Sequence, residues 1–533
     1  MPLTNVQIAP GFNKQVTATG AEGQWTDGDF VRFRYSLPEK IGGWQQITGQ
    51  TLVGATREQL IWADLDGRRY AAIGTHKALI IYYEGGFYDI TPLDTALTSC
   101  TFDTTDTSTT VTVNKNSHNL LAGDLFTFTS VTPPVGAGYV ADDFETNTFE
   151  VISVPDADTF TVTMASAATA TTSASGSATV NPYIKPGPLT QTYGYGWGTD
   201  TWSSGAWGEA SSAQNVILDP GSWSLDHFGQ KLIATVKNGK SFYWDPIASD
   251  PSALSTRATV IPGAPTRSVM SIVSERDRHL IMLGTETTIG SESSQDKMFI
   301  RFSDQESIGD YTPNSTNTAG TFRLDSGVKI IGAAKAKDYI LILTDTSAYV
   351  MQFVGPPFTF SIRQVGSNCG SIGQHAMKYV NGKVYWMGQA GGFFVYDGTV
   401  KSVPCLVEDF VFTDKGDNLG INYNSGEIVY AGLNHLYEEI NWFYAKAGSE
   451  FVDRVVTYNY VENTWTTGSL ARTSWHDSTL YDNPYATQFN GSGTPSFPTI
   501  QGVTNTNGAT IYYAHEVGNN EVDSLGNKTA IPA

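Results

Sequence analysis

An apolar run that closes on small or turn residues returns along most of the chain. It appears as "YAAIGT" (70–75), "LIATV" (232–236), "LIMLGT" (280–285), "LILTD" (341–345), "VYWMG" (384–388) and "IVYAG" (428–432). Each run is followed by a turn and then by a strand rich in Tyr, Phe or Trp. Past residue 220 the runs recur roughly every 40 to 60 residues, close to the period of four-stranded propeller blades. A unit of that size cannot bury its own apolar face and must stack on its neighbours. The expected fold is therefore all-β: a β-propeller of five to seven blades. A set of unrelated β-sandwiches is the alternative that the loose match between units leaves open. Gly at 53 of 533 residues, with abundant Thr, Ser and Tyr, agrees with a turn-rich β chain.

Residues 93–184 break the period. Alternating strands are legible at "TVTV", "LFTFTSV", "TFEVISV" and "TFTVTM", and an Ala/Thr/Ser/Gly tract at 165–179 reads as a flexible exit. This segment is expected to be a small β-barrel inserted between blades. The division along the chain is then 1–50, an N-terminal platform-like β segment; 51–92, the first propeller strands; 93–184, the barrel; 185–217, a Gly/aromatic ribbon; 218–515, the main propeller; and 516–533, a tail. In the first segment "DFVRFRY" alternates Arg32 and Arg34 with Val31, Phe33 and Tyr35, so it reads as a strand. Pro38 and Gly42–Gly43 are expected to turn the chain before Trp44. "ATIYYAHEV" (509–517) reads as a late strand that leaves the last blade incomplete. Either the N-terminal strands or further chain must close it.

The ribbon "YGYGWGTDTWSSGAWGEASS" begins at Tyr193 and carries Tyr195, Trp197, Trp202 and Trp207. Rings separated by Gly, Ser and Thr supply large contact area without forming a core element. They suit contact with another protein, stacking on sugar, or folding back onto the chain's own core.

Chemistry is sparse. No nucleophile elbow, phosphate-binding loop, H-E-x-x-H pair or calcium loop is present. "ADLDGRR" holds Asp64, Asp66 and Gly67 but lacks the later oxygen ligands, and a hairpin turn explains it. Asp226–His227 and His476–Asp477 read as turn or surface pairs. Carboxylates in 296–310 are candidates for a glycosidase pair, with solvated loop charge as the plainer reading. No cofactor or metal is expected. Cys100, Cys369 and Cys405 form no C-x-x-C pair. The opening "MPLTNVQIAPGFNKQ" is unlike a signal peptide, and no run of 18 apolar residues is present, so no membrane span is expected. Synthesis in a reducing cytoplasm is the expectation. With 32 basic and 52 acidic residues the net charge is −20, which rules out a basic footprint for gripping nucleic acid.

"DFVRFRYSLPEKIGGW", the "YGYGWG…W…WG" ribbon and "RVVTYNYVENTWTTGSLARTSWHD" together resemble the tail nozzle proteins of short-tailed bacteriophages. That family is also called tail tubular protein B or packaged-DNA stabilisation protein. The resemblance spans 20–92 and 185–515. It implies a propeller with platform and nozzle-tip elements, and six copies in a ring below the portal and its adaptor ring. It further implies a lumen through which double-stranded DNA passes without sequence-specific binding, docking of tail fibres or tailspikes, and a place in the virion tail after assembly in the host cytoplasm. It carries over no catalytic residue. Interface candidates are Arg32, Arg34, Trp44, Tyr193, Tyr195, Trp197, Trp202 and Trp207. A carbohydrate-binding propeller using the Trp ribbon, and a glycosidase using the 296–310 carboxylates, are the alternatives.

Overall fold

The computed structural model describes residues 8–193, 217–246, 254–417, 419–481, 483–489, 491, 497–498, 500–501 and 508–517. Six sheets of four antiparallel strands and a seventh of five follow one another around the fold. Blades 1 to 6 span 56–89, 223–260, 270–323, 330–367, 377–402 and 430–468. Blade 7 takes Ser474–His476, Tyr485–Gln488 and Gly508–Val517 from the end of the chain. Its outer strand is Gly43–Gln46, from the beginning. The first strand of every blade touches the first strands of both neighbours, and Ser474–His476 closes the circle on Thr56–Ala63. The propeller is thus seven-bladed, and the N-terminal strand completes its last blade.

The recurring runs acquire a physical reason in this arrangement. Five of the six occupy second strands, while "IVYAG" runs into the first strand of blade 6. Their small residues are seats for the next blade. A Cβ on Gly74 would lie 2.6 Å from the ring of Trp223, and one on Gly432 would lie 2.6 Å from that of Trp475. Both indoles are fully buried, and their Nε1–H groups donate to Thr75 O and Leu433 O, each at 2.7 Å. The absence of a side chain lets a tryptophan from the following blade lie flat on the preceding one.

Residues 97–182 form a separate seven-stranded sheet between blades 1 and 2. It has its own core around Phe102, Phe126, Phe128, Phe144, Phe149 and Phe160. The ladders run in linear order from Thr148–Glu150 to Ser153–Asp156, so barrel closure is not among the described pairings. The sheet nonetheless curls enough for Phe160 to meet Phe126 edge-on at 5.5 Å. The expected flexible exit is corrected: Thr172–Pro182 is an interior strand paired on both sides, with Ala178 and Val180 buried in the aromatic core. Small residues there let the strand thread between bulky neighbours. "TFEVISV" is also corrected. It divides into Thr148–Glu150 and Ser153–Asp156, which lie at opposite ends of the sheet.

Among the described residues, no helix is long and apolar enough to cross a membrane.

Candidate functional site

The first strands of all seven blades surround an axial cavity of about 500 Å³. Four of the chain's eight histidines line it: His227, His375, His435 and His476. Glu58, Asp226, Glu275, Lys335, Lys378 and Asp477 line it too. Strand alternation puts polar side chains on the axis while their neighbours pack between blades.

These groups are joined across the axis. Lys335 of blade 4 reaches Asp226 of blade 2 at 2.8 Å and Glu275 of blade 3 at 2.7 Å. Burial works against the Lys335 ammonium, but the two carboxylates outweigh it and raise its pKa. Asp226, His227 and Glu275 could each offer one ligand atom to a metal ion. The two carboxylates are instead held by lysine, so the trio reads as an ion-pair cluster.

His375 Nε2 lies 3.2 Å from Trp223 O, which can only accept, so Nε2 carries the proton. Nδ1 then presents its lone pair to Glu58 Oε1 at 3.6 Å. Burial and the nearby Lys378 charge pull the His375 pKa down to about 3. Burial likewise raises Glu58 well above the usual carboxylate range, despite the Leu225 N–H donated to it at 2.6 Å. His476, held by Gln59 O at 3.1 Å, is pulled down by burial to about 3. His435 behaves oppositely: its hydrogen bond to Asp477 at 2.9 Å raises it. Among the described residues Lys378 has no carboxylate within 4.0 Å, and its ammonium sits 5.6 Å from the Tyr430 ring centre. Burial lowers its pKa.

At the far end of the axis four ions meet. Lys237 of blade 2 lies 2.9 Å from Glu427 and 3.2 Å from Asp219, and Lys329 lies 3.0 Å from Glu427. Lys329 leads into blade 4 and Glu427 into blade 6, so this cluster ties three non-adjacent blades together across the axis. Burial alone would raise Glu427, but the two lysines hold it down at about 2.

The N-terminal stretch singled out from the sequence docks on blade 6. Arg32 is buried and bound to Glu439 by Nε at 3.0 Å and Nη2 at 3.1 Å, and it lies 3.4 Å from the Tyr437 ring centre. Arg32, expected as an interface candidate, is here an internal anchor within the chain's own fold. Trp44 is half-buried against Trp475 at 5.5 Å, with Arg472 4.9 Å from its ring, so it too is engaged within the chain. Arg34 is exposed. The expected turn at Pro38 is also corrected. The turn falls at Tyr35–Ser36, and Pro38 pairs with Phe33 in the edge strand Leu37–Lys40, where a missing N–H is tolerated. Tyr193 lies in a short strand pairing with Ile217–Leu218. Tyr195, Trp197, Trp202 and Trp207 lie outside the described residues.

Asp64 and Gly67 form the expected hairpin turn, with Asp64 Oδ1 accepting from Asp66 N and Arg68 N at 2.9 Å each. The 296–310 carboxylates are tied into local structure. Asp296 pairs with Arg323, Glu306 with Arg278, and Asp304 caps Thr318. The axial cluster escaped the sequence reading, although ionisable residues inside apolar first strands (Asp226, His375, Lys378, His476) were its available signal.

No protein-family model and no curated protein sequence matches the chain. Solved structures show only a weak likeness. The computationally designed Ika8 protein is 8% identical with a TM-score of 0.36, covering 88% of this chain and 100% of its own. The AfRom2 CNH domain is 10% identical with a TM-score of 0.32, covering 55% and 93%. A phage phi92 endosialidase is 12% identical with a TM-score of 0.23, covering 93% and 63%. Likenesses at this level carry no argument.

Proposed function

We propose that this chain is a structural subunit of the tail nozzle of a short-tailed bacteriophage. Six copies form a ring beneath the adaptor, retain the packaged DNA, and dock tail fibres or tailspikes in the virion. One observation carries this reading. Two of the three stretches that resemble the nozzle family lie at opposite ends of the sequence and pack as one unit. Asp29 accepts from Ser469 N at 3.0 Å and from its hydroxyl at 2.8 Å, across 440 residues of chain. Glu462 accepts from Tyr35 N and Ser36 N, and Trp44 rests on Trp475. A resemblance scattered along the sequence is thereby gathered into one piece of structure.

The ion pairs crossing the propeller axis leave no bore for a duplex, so the DNA lumen in this reading lies between copies, about the ring axis. A net charge of −20 favours passage over retention at its wall. The role is structural and requires no catalysis. Antibody–gold electron microscopy of virus particles from the source of this sequence tests it. Label at a single tail-bearing vertex is expected; protein found free in solution and absent from particles would overturn it.

A further inference from the structure

Lys335, Lys237 and Lys329 are each neutralised on the axis. Lys335 is shared by Asp226 and Glu275, Lys237 by Glu427 and Asp219, and Lys329 is held by Glu427. Lys378, in the first strand of blade 5, is not. It lines the axial cavity, and among the described residues its ammonium makes no hydrogen bond and meets no carboxylate within 4.0 Å. The Tyr430 ring centre, 5.6 Å away, offers little compensation at that distance. Glu58 and Asp477 act on Lys378 only from farther off, and burial outweighs them, so its pKa falls. The same wall holds a second unmet polar group. Gln374 is 3% exposed, and its Oε1 has no hydrogen-bond partner among the described residues.

A lysine without a counter-ion in a desolvated wall sheds its proton more readily than one in water. The free amine keeps a nucleophilic lone pair. The cavity gives that lone pair room: about 500 Å³ is within the usual size of a small-molecule site. Glu275 and His435 line it and are exposed, so it reaches solvent at their end. Leu60, Leu225 and Leu433 line it too, with the Tyr430 ring stacked on His375 at 5.4 Å.

Charge narrows the ligand. With Lys378 uncharged, the remaining ions are Asp226, Glu275 and Asp477 against Lys335 and at most a protonated His435. They leave no positive surplus to hold an anion.

We propose that Lys378 is a reactive amine on which the axial cavity captures small, uncharged aldehydes or ketones as imines. The Nζ lone pair attacks the carbonyl carbon, a C–N bond forms, and the oxygen takes one proton that nitrogen sheds. The carbinolamine then expels its hydroxyl as water with the second N–H proton, and a C=N bond remains. No oxidant or reductant is consumed. The lone pairs left on His375 Nδ1 and His476 Nε2, whose other ring nitrogens face backbone carbonyls, are acceptors for a proton in transit.

The test uses benzaldehyde with sodium cyanoborohydride, which reduces an imine to a stable secondary amine. The full chain is labelled at neutral pH with limiting reagent and mapped by peptide mass spectrometry. Lys378 should be alkylated roughly tenfold or more faster than the exposed Lys40 and Lys383, because each unit by which a pKa falls gives about ten times more free amine. Lys335, in the same cavity but ion-paired, should lag behind all three. The preference for Lys378 should vanish in urea that unfolds the chain. Lys378→Arg should lose that adduct alone and keep the wild-type circular dichroism. The anionic para-carboxybenzaldehyde should show a smaller preference for Lys378 than benzaldehyde does. Labelling of Lys378 no faster than of Lys40 and Lys383, or a preference that survives unfolding, would overturn the site. An equal preference with the anionic aldehyde would overturn the ligand class. The ring reading does not depend on the axial cavity, so it stands or falls separately.

Discussion

Removing either member of the Arg32–Glu439 pair should be far more damaging than removing both. The two side chains are 4% and 5% exposed, and two hydrogen bonds of 3.0 and 3.1 Å join them. At that separation, with an effective dielectric constant near 20, their attraction is about 5 kcal/mol. Desolvation of both ions consumes most of it, so the net value of the pair is small. A single replacement leaves a buried charge uncompensated, which costs about 3–5 kcal/mol. Arg32→Met also loses the stack on Tyr437, up to about 2 kcal/mol when desolvated, so it should exceed Glu439→Leu. Arg32→Met/Glu439→Leu should recover most of either loss. The pair ties the N-terminal hairpin to blade 6. The assay is therefore urea unfolding of all four proteins, with hydrogen exchange across 25–46 to separate local release of the hairpin from global unfolding. Additive losses in the double variant, with no coupling, would refute the reasoning.

The tryptophan seats give a steric test: Gly432→Ala should destabilise by roughly 1–3 kcal/mol by thermal or urea melting, because its Cβ would meet the buried Trp475 ring at 2.6 Å. For the axial ions the sign follows from Glu427, whose folded pKa of about 2 lies below its ordinary 4.5. The stabilisation is present above pH 4.5 and is lost as pH falls toward 2, on the order of 3 kcal/mol. Glu427→Gln should be less stable at neutral pH and show a flatter profile through that window in pH-dependent unfolding. The inserted sheet begins and ends beside the Leu93–Tyr183 bridge. Replacing 95–181 by a short Gly/Ser linker should leave a folded propeller by circular dichroism. Its melting temperature should be modestly lower, since the Lys77–Glu150 and Lys185–Asp124 pairs are lost.

The repeated apolar run was readable as propeller strands because burial between blades forces the same pattern each time. The low-complexity tract 165–179 misled for a related reason. Small residues look like linker until their neighbours are known, and here Phe102, Phe126 and Phe128 supply the bulk. Arg32 and Arg34 share a strand and a chemical type, yet one is an anchor and the other is exposed at the tip. Only the placement of Glu439, 407 residues away, separates them.

From the sequence alone follow the all-β class, the blade-like repeat, the interruption at 93–184 and the lack of a motif for catalysis. These depend on local alternation and turn chemistry, which act over a few residues. Blade number, the strand Gly43–Gln46 that closes blade 7, the cross-axis ions and the projecting hairpin were decided by tertiary structure. Each arises where residues hundreds of positions apart meet in a closed circle, and closure is a property of the whole ring that no single blade encodes.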